Sequence, residues 1–372
     1  MLYPADAEWF GQLDAEGGSR CDAEYRTGQA GGVPRLRDPA LMARQSALQV
    51  TGALEAHVRA TWAIVLAAGE GTRLSTLTRN SHGVAVPKQF CSLTGGATLL
   101  QDTLQRARGI AADECVAVVV AAQHRRWWRG TIQSIPGVHA IVQPENRGTA
   151  NGILLATLTI AMRDPLARLV FLPSDHFVAR ESLFARALQA TASSRLPPGE
   201  ILLLGVEPNA PDPELGYVMP HALSRIHDGR RVDRFVEKPA ISVAAALIAD
   251  GALWNSFIFV AEVATIIDLM RSRYPGIVDD FETALQRGPD AVAELYERLP
   301  TLDFSRAILQ GAESRLSVLR APECGWSDLG TPRRVAACLE RLTDRSVFSA
   351  AALTADAVNL AAAVTPTLYL SL

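Results

Sequence analysis

Trp62-Ala63-Ile64-Val65-Leu66-Ala67-Ala68 is a continuous apolar run that passes straight into Gly69-Glu70-Gly71-Thr72-Arg73-Leu74. An apolar run of strand length that ends in a glycine turn opens a strand–turn–helix unit, and a strand apolar on both faces must be covered on both. Similar runs recur at residues 115–122, 140–143, 169–172 and 201–206. Helix-type patterns lie between them at 99–109, 123–134, 149–163 and 181–193. This alternation predicts an α/β fold with a Rossmann-like, mostly parallel sheet flanked by helices. In such sheets ligands bind beyond the carboxyl ends of the strands, so chemistry is expected just after each apolar run.

Outward from this region the rhythm changes. After residue 207, short segments at 216–220, 231–239 and 253–261 predict a smaller mixed-sheet extension that forms the second wall of a cleft. Helices are expected at 241–250, 263–273, 278–287 and 332–342, with a strand at 315–321. The core domain is therefore 61–342, divided near 206/207. Residues 1–60 form an N-terminal extension of unassigned role, in which 39–60 reads as a helix capped by Asp38. Residues 343–372 form an alanine-rich tail that could pack on the core or on a second subunit of a homo-oligomer.

The 372 residues suffice for a full core, and 48% hydrophobic with 20% charged residues fits a globular enzyme. A net charge of -3 gives no general argument for nucleic acid or an anionic membrane as partner. The 5 cysteines show no CxxC pair, which argues against a zinc site or disulfide framework and fits a reducing cytoplasm. The first residues lack a basic segment followed by an apolar one, so no secretory signal is expected, and no stretch reads as a membrane span. Of the 36 lysines and arginines, lysine stands only at Lys88 and Lys238. Where arginine serves nearly everywhere, a lysine suggests a site that needs a compact ammonium.

The glycine turn after the first run lets backbone N–H groups approach a polyphosphate, with Arg73 as a fork for its oxygens. A dinucleotide fingerprint needs a third glycine where Leu74 stands, and no GK[ST] follows to make a P-loop. Lys88, in Val86-Pro87-Lys88-Gln89-Phe90, could reach the same phosphates. Gln143 to Ala150 (QPENRGTA) follows the third run; its amide and backbone groups could read a base edge, with Thr149 as a helix cap. Asp175, in Leu172-Pro173-Ser174-Asp175-His176, could hold Mg²⁺ against substrate phosphates or cap the next helix. His176 reads as structural. Glu207, Gly216, Tyr217, Glu237, Lys238 and Asn255 suit a sugar phosphate as a set, while each alone could be a turn or strand edge. Asp328, in Gly325-Trp326-Ser327-Asp328-Leu329-Gly330, supplies a second carboxylate in a tight turn.

In order, LAAGEGTRL, PKQF, QPENRGTA, LPSDH, ELGYV, FVEKP, LWNSFIF and GWSDLGTP resemble the nucleotidyltransferases that make nucleoside-diphosphate sugars. Within this group they resemble the mannose-1-phosphate guanylyltransferases. The resemblance implies that Ala67, Ala68, Gly69, Gly71, Thr72 and Arg73 hold the nucleotide triphosphate, with Lys88 beside them. It implies that Gln143, Asn146, Gly148 and Thr149 contact the base, the RGTA form favouring guanine. Asp175 and Asp328 match the metal-binding aspartates, and Glu237, Lys238 and Asn255 match the sugar-phosphate side. The implied reaction joins GTP to mannose 1-phosphate, with Mg²⁺ as cofactor and Arg73, Lys88, Asp175, Lys238 and Asp328 as its catalytic groups. Phe257 stands where the family commonly has glycine, residues 303–305 match only loosely, and 1–60 and the last residues match nothing. The isomerase half or left-handed β-helix that longer family members carry is not visible in this sequence. Another nucleotide or sugar, or a catalytically silent homologue that binds GDP-mannose, are the alternatives; Leu74 argues against a nicotinamide-dependent oxidoreductase.

Overall fold

The computed structural model describes residues 60–80, 82–226 and 229–343. The expected N-terminal helix and the tail lie outside them, apart from Ala60 and Thr343. The strands are β1 (Thr61–Ala67), β2 (Val116–Ala121), β3 (His139–Gln143), β4 (Arg168–Pro173), β5 (Ile201–Val206), β6 (Gly216–Ile226), β7 (Gly229–Glu237), β8 (Leu253–Glu262) and β9 (Leu316–Arg320). The helices are α1 (Leu99–Arg108), α2 (Arg125–Gln133), α3 (Thr149–Ala161), α4 (Glu181–Ser193), α5 (Ile241–Ala249), α6 (Val263–Arg273), α7 (Pro275–Arg287), α8 (Pro289–Arg298) and α9 (Pro332–Thr343).

The strands form a single sheet in the order β3-β2-β1-β4-β8-β5-β9-β7-β6. Parallel ladders join β1 to β2 and β4, β2 to β3, and β5 to β9, whereas every pairing of β6, β7 and β8 is antiparallel. The sheet is thus mixed, and this corrects the expectation of a mostly parallel sheet with its mixed part set to one side. The segment LWNSFIFVA, expected as a cleft wall in the extension, is β8, and it runs antiparallel through the middle between β4 and β5. Its run of buried residues on both faces is what that central place demands. A short pairing of Tyr217 with Trp254 and Val218 with Leu253 then folds β6 back onto β8.

Alternate residues of each strand feed two cores. On β1, Trp62 and Ile64 enter one and Ala63 and Val65 the other. The first core is covered by α3, α6, α7 and α8, the second by α1, α2, α4, α5 and α9. The α1 helix starts with a capping box in which Thr98 and Gln101 bond reciprocally. Helix α8, not among the expected helices, follows Gly288 directly; Pro289 stands at its first helical position, where its missing N–H costs nothing. No helix of the described residues is long and apolar enough to cross a membrane.

Candidate active site

Beyond the carboxyl ends of β1, β3 and β4 lies a cleft of about 440 Å³. Its floor is the glycine turn. Gly71 has φ +63°, and a Cβ there would stand 3.0 Å from Lys88 N, so the turn packs directly on the segment that carries the lysine. Buried Gln89 fixes the turn by donating from Nε2 to Ala67 O (3.0 Å) and Gly69 O (2.8 Å). Arg73 lies at the mouth, where Nη1 donates to Glu214 Oε2 at 2.5 Å.

Lys88 joins the two halves of the site. Its Nζ lies 2.9 Å from Asp175 Oδ2, 2.8 Å from Asp328 O and 3.4 Å from Leu329 O. Three donors on one point charge meet three acceptors, which a planar guanidinium could not match. Asp175 and Asp328, remote in sequence, are brought together by an antiparallel bridge in which Phe177 N and Ser327 N each donate to the other's carbonyl (2.8 and 2.9 Å). Burial opposes ionisation of Asp175, but the Lys88 charge, together with His176 and hydrogen bonds, outweighs it and holds the carboxyl below its ordinary pKa. His176 is buried beside it, and its Nδ1 accepts from Trp326 Nε1 at 3.2 Å. Burial pushes its pKa down to about 4, so the ring is neutral at pH 7.

Both aspartates line the cleft. Asp328 Oδ1 accepts from Gly330 N (3.2 Å) and from Arg334, whose other terminal nitrogen holds Asp212. Among the described residues no group of three or more His, Cys, Asp or Glu could hold a metal by itself. Mg²⁺ is usually bound by one or two carboxylates with substrate phosphates completing its shell, so this pair of hard oxygen donors fits it.

One wall carries Gln143, Asn146, Gly148, Thr149 and Gly152. The side chain of Gln143 lies over Gly152, where a Cβ would come within 2.8 Å of Nε2. Thr149 does not cap α3 as expected: it is the first helical residue, and its Oγ1 accepts from Phe304 N at 2.8 Å. The opposite wall carries Glu237, Lys238, Phe257, Thr301, Asp303 and Ser305. Lys238 Nζ lies 3.1 Å from Glu237 Oε1 and 3.8 Å from Asp303 Oδ2. Burial raises the Glu237 pKa, Asp303 adds to this, and Lys238 works against it.

Seven of the sequence-derived candidates lie off the wall. Ala67 is buried at the end of β1, and Gly71 and Thr72 belong to the turn without lining the cleft. Glu207 pairs with Arg320 beyond β5 and β9. Tyr217 is fully buried, its hydroxyl accepting from Asp212 N and donating to Asp212 O. Gly216 gives room to Glu237, whose Oε2 would stand 2.5 Å from a Cβ there. Asn255 is buried behind the wall, donating to Ser305 Oγ at 3.3 Å. Conversely, Gln89, inside PKQF but not singled out, and Thr301, Asp303 and Ser305, from a stretch that matches loosely at best, join the cleft. Phe257 has φ +60°, the left-handed region that favours glycine, which accounts for the glycine expected at this position.

The profile of the family described as "Nucleotidyl transferase" matches residues 62–345. Mannose-1-phosphate guanylyltransferase ManC of Salmonella typhimurium is 31% identical over 294 residues, spanning 72% of this chain and 57% of that protein. The xanthan biosynthesis protein XanB of Xanthomonas campestris pv. campestris is 31% identical over 281 residues, with 72% and 57% covered. A crystal structure from Thermus thermophilus, described as a mannose-1-phosphate geranyltransferase, superposes with a TM-score of 0.65 at 28% identity, covering 77% of this chain and 80% of that one. The chain spans a little over half the length of the curated relatives it matches. With the profile covering the whole cleft-bearing sheet, the chain belongs to the nucleotidyl transferase family and resembles its mannose-1-phosphate guanylyltransferases.

Proposed function

We propose that the chain transfers a guanylyl group from GTP to mannose 1-phosphate, giving GDP-mannose and pyrophosphate without a covalent enzyme intermediate. The observation that carries this reading is the meeting in one cleft of the glycine turn, the Lys88–Asp175–Asp328 cluster and the Glu237–Lys238–Asp303 wall. The relatives' names and the RGTA form at 147–150 support the choice of guanine and mannose.

The attacking phosphate oxygen is already ionised, so no general base is required. The barrier lies in bringing two polyanions together and in stabilising charge on the leaving pyrophosphate, which is work for position and electrostatics. Arg73 exchanges Glu214 for triphosphate oxygens, and Lys88, held by Asp175 and the Asp328 and Leu329 carbonyls, adds positive charge beside them. Asp175 and Asp328 would hold a Mg²⁺, which supplies charge neutralisation where the phosphates meet. Lys238 holds the sugar phosphate in line, and Glu237 with Asp303 and Ser305 offers partners for sugar hydroxyls. The base lies against Gln143, Asn146 and the bare backbone of Gly148.

Pyrophosphate release with GTP, ATP, UTP and dTTP against mannose and glucose 1-phosphates, in Mg²⁺, tests this reading. Release with GTP and mannose 1-phosphate alone is expected. Release with another pair overturns the specificity, and none with any pair overturns the activity. In the same assay Asp175→Ala is expected to abolish turnover; turnover at the wild-type rate removes Asp175 from the mechanism.

A further inference from the structure

A second cavity of about 240 Å³ has Asp212, Trp254, Asp328 and Arg334 among its lining residues. Asp328 lines both this cavity and the cleft. Arg334, on the first turn of α9, lines the second cavity and joins two carboxylates. Nη1 donates to Asp328 Oδ1 and Nη2 to Asp212 Oδ2. All three side chains are largely withdrawn from water, at 16%, 23% and 18% exposure for Arg334, Asp212 and Asp328.

We propose that Arg334 is a positioning residue for Asp328, and that Asp212 is the anchor from which it acts. Resting on the functional reading above, this assigns to the arginine the aiming of a carboxylate that takes the metal. The chain of support is continuous. Fully buried Tyr217 fixes the Asp212 main chain at both N (2.8 Å) and O (3.1 Å). Asp212 fixes one arm of the Arg334 fork, and the other arm fixes Asp328 Oδ1. Gly330 N adds a second donor to that same oxygen at 3.2 Å. Gly330 also keeps the place open, because a Cβ there would stand 2.5 Å from Asp328 Oδ2 and 2.9 Å from Arg334 Nη1. With Oδ1 saturated by two donors, Oδ2 is the oxygen left for a cation. A lysine could not hold two carboxylates by two separate arms of a rigid plane, so the task calls for arginine.

The test is Mn²⁺ binding to the full chain, alone and with GTP, followed by electron paramagnetic resonance, with pyrophosphate release measured in parallel. Arg334→Gln is expected to weaken Mn²⁺ binding about 10- to 100-fold, the usual cost of removing a group that orients a metal ligand. It should lower kcat far more than it changes KM for GTP. Arg334→Lys should recover only part of the loss, and Asp212→Asn should shift binding in the same direction by less. Asp212→Asn also serves as the decisive variant if Arg334→Gln does not fold. Asp328→Asn separates the two levels. If it weakens Mn²⁺ binding while Arg334→Gln or Asp212→Asn leaves binding unchanged or tighter, the positioning role falls and the metal reading stands. If Asp328→Asn itself binds Mn²⁺ as the wild type does, both fall.

Discussion

Lys238 has φ +50° and holds its ammonium between Glu237 and Asp303 on one wall of the cleft. A non-glycine residue in this region costs on the order of 1–3 kcal/mol, so its surroundings must over-determine it. Here the Lys238 N–H donates to Leu215 O at 3.2 Å. Lys238→Ala keeps the same backbone constraint and removes the ammonium that faces Glu237 and Asp303. The expected result is a KM for mannose 1-phosphate raised about 10- to 100-fold, from a lost charge-assisted contact of about 1.5–3 kcal/mol, with the KM for GTP little changed. Equal rises in both constants would detach Lys238 from the sugar phosphate. His176 yields a second prediction, in pH. Its pKa is about 4 in the fold against an ordinary value of 6.5, so between those values the unfolded chain binds the extra proton and the fold does not. Stability is therefore complete above about pH 6.5 and is lost as pH falls towards 4, by on the order of 3 kcal/mol. Urea midpoints in EDTA should fall across that window in the wild type and less in His176→Gln; parallel curves would place the acid sensitivity elsewhere. At this scale both lysines were legible because lysine is so rare here. Arg334 was not, since one arginine among so many carries no signal until its two carboxylate partners are seen.

The loop into α3 marks what spacing can and cannot say about an element. A glycine before a helix was readable as a turn, but its severity was not. Gly148 has φ +82° and ψ 168°, a conformation open essentially to glycine alone. A Cβ there would lie 2.3 Å from Leu302 O. Leu302 belongs to a segment far along the chain that is tied to this loop: its N donates to Arg147 O (3.1 Å) and its O accepts from Ala150 N (3.0 Å). Asn151 adds bonds from Nδ2 to Arg147 O and Pro300 O at 2.6 and 2.9 Å. No local pattern encodes such a junction, and the loosely matching residues 303–305 are part of it. Gly148→Ala must therefore displace both strands of it. It is expected to lower stability by about 2 kcal/mol or more and to raise the KM for GTP, as read from thermal melts and initial rates. Gly276→Ala, at a glycine with open space around it, is the matched control and should change neither.

For the whole molecule, the recurring apolar runs announced an α/β protein, and their carboxyl ends marked the cleft. What the runs could not announce was strand order, because each buried strand looks alike in sequence whichever neighbours it takes. The consequence is physical. β8 comes from the part of the chain expected to serve the sugar phosphate, yet its residues pair with Arg168–Phe171 of β4 on one side and with β5 on the other. Phe259 on β8 stacks on Phe171 of β4 with ring centroids 4.6 Å apart, and on Phe304 at 5.1 Å. A fragment covering residues 60–206 would keep β1 to β5 but lose the strand that joins β4 to β5. It would leave one edge of β4 and both edges of β5 unpaired, and one face of the sheet without α6, α7 and α8. Such a fragment is expected to show no cooperative urea transition and to bind a hydrophobic dye, whereas residues 60–343 should unfold in one transition followed alike by circular dichroism and tryptophan fluorescence. A cooperative transition in the fragment would mean that the nucleotide half is a folding unit by itself. The cleft would then be an interface between two bodies, and the shared strand would have to be read as a late addition to an already stable sheet.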